Sequence, residues 1–299
     1  MMQKIILFYK FVPLVNTEAI CLWQKSLTHR LNLTGRVIIA EQGINGTLGG
    51  DIQDLKTYIK ETKTLSAFKD IQFKWSDGKR SDFPRLSIKV KPELVSFKFD
   101  DQLEVTPDGI KNSGQHLKPE DLQQFVKTNK DTIFFDGRNL YEANIGHFKN
   151  AITPPARTSR DFKDILSSGD YDQYKNNPIV TYCTGGVRCE VLSAVMKRRG
   201  FKKVYQLDGG IVKYLERYPR EGLWEGSLFV FDKRMSLKSD SNQKDIGRCV
   251  HCATRTSQYL NCALKKCNNL VLICEKCQSE PSKLYDSVSC YQEALLASN

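Results

Sequence analysis

Between Ile179 and Gly200 the chain reads as a strand that runs straight into a helix, and this unit restricts the fold more than any other stretch. Ile179–Tyr182 is apolar and β-branched, so it reads as a short buried strand. "CEVLSAVMKRRG" carries Val191, Leu192, Val195 and Met196 on one face and ends at Gly200, so it reads as a helix. Between the two lies the loop Cys183, Thr184, Gly185, Gly186, Val187, Arg188. The glycines let the backbone curl, so that several N–H groups point into one cradle. The helix N-terminus adds partial positive charge. Both effects favour an anion on sulfur and predict a lowered thiol pKa at Cys183.

The flanking segments extend this unit into a domain spanning 116–218. "KPEDLQQFVKT" is a helix with Pro119 in its first turn. "DTIFFDGRN" is a strand ending in Asp136, "YEANIGHFKNAI" a loop and then a strand, and "SRDFKDIL" and "YDQYK" are short helices. "KKVYQLDGG" is a further strand and "IVKYLERY" the closing helix. Strands alternating with helices predict a parallel sheet covered on both faces, with its site in a loop at the carboxyl end of a strand.

Residues 1–100 follow another order. "KIILFYKFVPL" is a strand, "NTEAICLWQKSLTHRLNL" a helix capped by Asn16 or Thr17, "GRVIIAEQG" and "INGTLGG" lead into two strands, "DIQDLKTYIKETKTL" is a helix and "IQFKWSDG" ends as a strand. The order β-α-β-β-α-β predicts a ferredoxin-like α+β domain built on a split βαβ. "FPRLSIKVKPELVSF" continues with strand character, and the polar, turn-rich 101–115 reads as a linker. The fold class is therefore multi-domain α/β, with a loop-rich, cysteine-rich region over 219–299.

That last region carries Cys249-x2-Cys252, Cys262-x4-Cys267 and Cys274-x2-Cys277. Two short-loop pairs of thiolates complete a tetrahedral zinc site, and Cys249, Cys252, Cys274 and Cys277 are the expected ligands. Cys262 and Cys267 are either a spare pair or part of a second site, with His251 and Cys290 completing the two. The usual iron–sulfur spacings are absent. Ten cysteines in a chain that opens without a signal-peptide cleavage pattern predict metal or redox chemistry in a reducing cytoplasm, not a disulfide framework. No apolar run reaches the roughly 18 residues of a membrane span.

The net charge is +11, of which residues 1–115 carry +4, 116–218 carry +5 and 219–299 carry +2. A basic excess over the two leading regions suits a polyanion such as RNA.

Cys183-x4-Arg188 is one residue shorter than the Cys-x5-Arg loop of protein tyrosine phosphatases, a tighter ring that suits a sulfur-borne group better than a phosphoryl group. With "FFDGRNLYEANIGHFKNAI" and "LDGGIVKY" around it, the middle region resembles a rhodanese domain. Adding "FYKFVPL", "AEQGINGTLGG" and "FVFDKRM" in that order, most of the chain resembles the bacterial rhodanese-like family of tRNA uridine hydroxylases. The resemblance implies oxygen-dependent hydroxylation of the wobble uridine to 5-hydroxyuridine, with the tRNA anticodon loop as partner, molecular oxygen as co-substrate and Cys183 as the catalytic cysteine. Asp136, Arg138 and Glu142 are expected to brace the loop, and Arg188 to orient an anion or the uracil carbonyls. No nicotinamide, flavin or haem motif is present. The loop alone leaves a persulfide-carrying sulfurtransferase open as the alternative, since that reaction needs the same activated thiol. "FVFDKRM" is expected to fold back on the middle domain, with Asp232 and Arg234 facing the site.

Overall fold

The alternation of apolar and polar residues in the first region closes into one sheet whose two faces have different tasks. The computed structural model describes residues 2–99 and 103–297. The first residues of the expected linker, 101 and 102, lie outside the described residues. In chain order the first domain contains β1 (Gln3–Phe11), α1 (Thr17–Arg30), β2 (Thr34–Ala40), β3 (Gly43–Asp51), α2 (Ile52–Thr62), β4 (Gln72–Ser76) and β5 (Leu86–Val90). The strands are ordered β4-β1-β3-β2-β5; the first four run antiparallel, and β5 adds parallel to β2. This is the expected ferredoxin-like order with one extra edge strand. Asn16 caps α1, its side chain accepting from the Ala19 amide at 3.2 Å.

One face of this sheet buries Ile6, Phe8, Val37, Ile39 and Leu48 against Leu27, Leu55 and Tyr58 of α1 and α2. The other face sends Phe11 and Ala40, together with Leu94 and Phe97 beyond β5, into the core of the next domain. The two domains thus share a hydrophobic core. Within the expected linker, β6 (Val105–Thr106) and β7 (Gly109–Ile110) form a small hairpin, and Ile110 is buried in that shared core.

The second domain runs β8 (Gln115–Leu117), α3 (Pro119–Thr128), β9 (Ile133–Asp136), α4 (Leu140–Ala143), β10 (Gly146–Phe148), α5 (Phe162–Ser167), β11 (Pro178–Tyr182), α6 (Val187–Arg198), β12 (Lys203–Leu207) and α7 (Gly210–Arg217). Its sheet is parallel, in the order β8-β12-β11-β9. Every residue of the central strand β11 is buried. Leu122 of α3 and Ile211 and Tyr214 of α7 cover one face of the sheet; Phe162 and Leu166 of α5 and Leu192 and Val195 of α6 cover the other. The stretch read as a loop before β10 begins with the helical turn α4. Asn139 closes it with a capping box, its amide donating to Glu142 Oε1 at 3.1 Å.

The third region is strand-poor. β13 (Trp224–Gly226) pairs with β10, β14 (Leu228–Phe229) with β15 (Ser236–Leu237), and β16 (Tyr259–Asn261) with β17 (Leu270–Leu272); α8 (Glu275–Gln278) and α9 (Val288–Leu296) follow.

Candidate active site

Cys183 follows β11 directly, at the carboxyl end of the central strand. α6 begins at Val187, two residues before the position expected from its apolar face, so Arg188 and Cys189 lie in its first turn. The cause is Gly186, which sits at φ 102° and accepts from the Cys189 amide at 3.0 Å. Gly186 also donates its own N–H to Cys183 Sγ at 3.2 Å, and a Cβ there would stand 2.9 Å from Tyr9 Oη. The start of α7 holds the loop from behind. The amides of Ile211 and Val212 donate to the carbonyls of Cys183 and Thr184 at 3.0 and 3.1 Å. With those carbonyls turned outward to α7, the loop amides face the sulfur.

Burial pushes the Cys183 thiol up. The Cys189 thiol, the Arg188 guanidinium and the amides of Cys189 and Arg188 outweigh it and hold Cys183 well below the ordinary thiol range. Cys189 is fully buried, and burial and the thiolate beside it push its own thiol well up. Only one of the two sulfurs is therefore an anion at neutral pH. We expect iodoacetamide to alkylate Cys183 with a rate profile that rises well below the value of about 8.5 for a free thiol, read by peptide mass across pH. A profile centred at 8.5 or above would remove the cradle's effect.

The charged residues expected around the loop converge on it from β9 and α4. Arg188 makes a two-pronged pair with Glu142, at 2.5 and 2.7 Å, and donates to Thr184 Oγ1 at 3.3 Å. Asp136 binds Arg138 through both oxygens, at 2.9 and 2.5 Å, and Arg138 also reaches the Gly146 carbonyl at 2.6 Å. Asp136, Arg138 and Glu142 are fully buried. These three form the wall behind the loop and have no surface from which to touch a substrate. Arg188, read as free to orient an anion or the uracil carbonyls, has both prongs committed to Glu142. Its contribution at the sulfur is its charge.

Two residues with no motif of their own reach the loop from the first domain. Lys74, on β4, donates to the Gly185 carbonyl at 2.5 Å and lies 4.8 Å from the centre of the Tyr9 ring. Burial lowers it to about 8, against the opposing pull of Cys183 and Asp208. Tyr9, on β1, donates to Glu190 Oε1 at 3.0 Å; Glu190 in turn accepts from Gln206 at 2.9 Å and pairs with His116 at 3.2 Å. Charge excess in residues 1–115 was the only sequence signal that could have pointed to Lys74.

"FVFDKRM" packs on the middle domain through Phe229, whose ring lies 5.1 Å from that of Tyr141, brings Asp232 and Arg234 to the cleft that holds Cys183, and crosses to the first domain. Arg234 is gripped by Asp232 at 2.8 and 2.6 Å and donates to the Asp77 carbonyl at 2.6 Å, while the Lys233 amide donates to the Asp82 carbonyl at 2.9 Å. Between these parts opens a cleft of about 930 Å³. Cys183 lies on its wall with 1% exposure, and Arg36, Lys74, Trp75, Arg85 and Phe231 line it. Phe231 is half-exposed and stands 5.8 Å from the Arg188 guanidinium. A deep sulfur, basic walls and an open aromatic face can admit one planar ring attached to a polyanion.

In the third region Cys249, Cys252, Cys274 and Cys277 bring their sulfurs within 4.8 Å of one another, with Cys252 and Cys274 3.5 Å apart. Four thiols at tetrahedral spacing fit zinc. Cys262 and Cys267 are not part of this set but cluster with Cys290. His251 joins neither group, since its Nε2 lies 2.8 Å from the Lys283 carbonyl.

Three family profiles match in sequence: the UPF0176 acylphosphatase-like domain over residues 3–94, the rhodanese-like domain over 118–217 and the rhodanase C-terminal domain over 225–292. The chain is 52% identical over 285 residues to the tRNA uridine(34) hydroxylase of Corynebacterium kroppenstedtii, covering 95% of this chain and 96% of that protein. It is 50% identical to the protein of that name from Arthrobacter sp. strain FB24, covering 95% and 97%. It is 52% identical to that from Rhodococcus opacus strain B4, covering 92% and 96%.

Proposed function

The chain belongs to the tRNA uridine(34) hydroxylase family and hydroxylates the wobble uridine of tRNA, and from that premise we propose that Cys183 is its catalytic residue. The observation that carries this is a single activated thiol on the wall of a basic, aromatic-lined cleft. In the proposed reaction the thiolate adds to C6 of the uracil. Electron density then rises at C5, which takes one atom of molecular oxygen; an external two-electron donor reduces the other atom to water, and loss of the C5 proton with expulsion of the thiolate from C6 leaves 5-hydroxyuridine. The loop amides and Arg188 stabilise the sulfur anion before attack and after release. Lys74 fixes the loop through the Gly185 carbonyl and is a proton donor on the cleft wall.

The substrate contact is the anticodon loop. A sulfur exposed by 1% is out of reach of a base stacked in a helix, so the wobble nucleotide must be splayed into the cleft. Phe231 offers the face on which it stacks. Cys249, Cys252, Cys274 and Cys277 hold a structural zinc, which supplies folding free energy to a region with little apolar core. The protein acts in the cytoplasm, where tRNA is modified; among the described residues no helix is long and apolar enough to cross a membrane. The relatives' names do not favour the sulfurtransferase alternative.

Two measurements test this. In a strain whose own gene is deleted, expression of this chain should restore 5-hydroxyuridine in digested tRNA, read by nucleoside mass spectrometry; no restored signal would refute the assignment. Purified protein should bind an anticodon stem-loop with log affinity falling linearly against log salt, the slope reporting several neutralised phosphates. Joint Arg36→Glu and Arg85→Glu should flatten that slope, while Lys283→Glu should leave it unchanged. Salt-independent binding would exclude the cleft as the RNA surface.

A further inference from the structure

We infer that Cys262, Cys267, Cys290 and Asp286 form a second structural metal site, built for zinc and separate from the four-cysteine cluster. The three sulfurs lie within 4.8 Å of one another, and none of these cysteines is in a disulfide. Asp286 Oδ2 lies 3.8 Å from Cys267 Sγ. Ligand atoms about 3.5–3.8 Å apart are the edges of a tetrahedron around a zinc ion, given Zn–S near 2.3 Å and Zn–O near 2.0–2.2 Å. Three thiolates alone leave one corner open; the Asp286 carboxylate, near Cys267 but not within 4.8 Å of all three sulfurs, closes it by turning toward the metal.

The surroundings are those of a ligand set. The Asp286 amide donates to Cys262 Sγ at 3.3 Å, as amides do to metal-bound thiolates, and Asn269 Nδ2 donates to Asp286 Oδ2 at 3.0 Å, which orients the carboxylate. Asn261 holds the turn that carries Cys267 through two bonds to Asn268, at 3.2 and 2.9 Å. Asn268 itself is left-handed at φ 51°.

The architecture also calls for such a site. α9 has no buried residue, and Val288, Leu295 and Leu296 are exposed. Hydrophobic packing therefore holds this helix only through the half-buried Cys290 and Tyr291. Its attachments include Cys290, the adjacent Asp286, the contact of Tyr291 with Tyr285 at 5.3 Å between ring centres, and an exposed ion pair between Lys266 and Glu293 at 2.6 Å, and an exposed pair contributes little. A metal shared by Cys262 and Cys267 on the hairpin side and by Asp286 and Cys290 on the helix side ties α9 to the β16–β17 hairpin.

The experiment is metal stoichiometry on the full chain purified without chelator, by inductively coupled plasma mass spectrometry. The wild type should hold about two zinc equivalents. Cys290→Ser and, separately, Asp286→Ala should each lower this to about one, and Cys252→Ser should remove the other equivalent. A wild type holding one zinc that survives Cys290→Ser would overturn the proposal, as would two zincs that survive both Cys290→Ser and Asp286→Ala. A measurement on unaltered protein guards against variants that misfold. After exchange with cobalt(II), the sulfur-to-metal charge-transfer intensity should correspond to seven thiolate bonds, from four cysteines in one cluster and three in the other. Intensity for four would overturn it.

Discussion

Cys183→Ser should abolish 5-hydroxyuridine formation and leave the fold intact. The exchange keeps the shape of the side chain and its place at the end of β11. It removes the anion, because a hydroxyl has a far higher pKa than a thiol and the same cradle cannot bring it into the neutral range. Loss of a nucleophile that acts by covalent attack costs about 10³-fold or more in rate. Nucleoside mass spectrometry of tRNA from complemented cells should show product at background, with wild-type circular dichroism and thermal midpoint for the purified variant. Product within tenfold of wild type would end the covalent role of Cys183.

The second large effect is on stability. Glu142→Gln keeps the size of the side chain and removes the charge that two bonds from Arg188 neutralise. Glu142 is fully buried and Arg188 nearly so, and a buried cation stripped of its partner costs about 3–5 kcal/mol. That is a large fraction of the roughly 5–15 kcal/mol that holds a domain folded. Urea unfolding should show an earlier midpoint, with the slope unchanged. A midpoint within experimental scatter of wild type would mean that Arg188 finds water when Glu142 is neutral. Asp136→Asn should act in the same direction through Arg138.

What the sequence made legible was local. The strand, the glycine-bearing turn and the helix around Cys183 are consecutive, so their chemistry could be read from adjacent residues. The two-residue error at the start of α6 has the same origin: apolar periodicity marks a helix's buried face, whereas its first turn is set by the backbone at Gly186. Arg188 was misread as available because its partner is 46 residues away. Lys74 reaches Gly185 across 111 residues, and Tyr9 reaches Glu190 across 181. No periodicity or spacing encodes such contacts; they exist only once the two sheets share a core. Cys290, named from the sequence only together with His251 as completing two sites, stands alone on a helix without the short loop that marks its neighbours, and the structure groups it with Cys262 and Cys267 while leaving His251 out.

The reach of Lys74 into the second domain has a consequence for the order in which this molecule comes into being on the ribosome. The first domain is complete at Val90, long before Cys183 is synthesised, and domains generally fold as units as they emerge. At that stage the Lys74 ammonium has no Gly185 carbonyl to meet and stays in water at an ordinary pKa. The Cys183 loop, emerging later, closes under it, and the last wall arrives only with Arg234. A nascent chain stopped between Cys183 and that residue carries the cysteine without a finished chamber around it. The chamber around the thiol is thus completed in the order of translation, and a product truncated before Arg234 lacks its last wall.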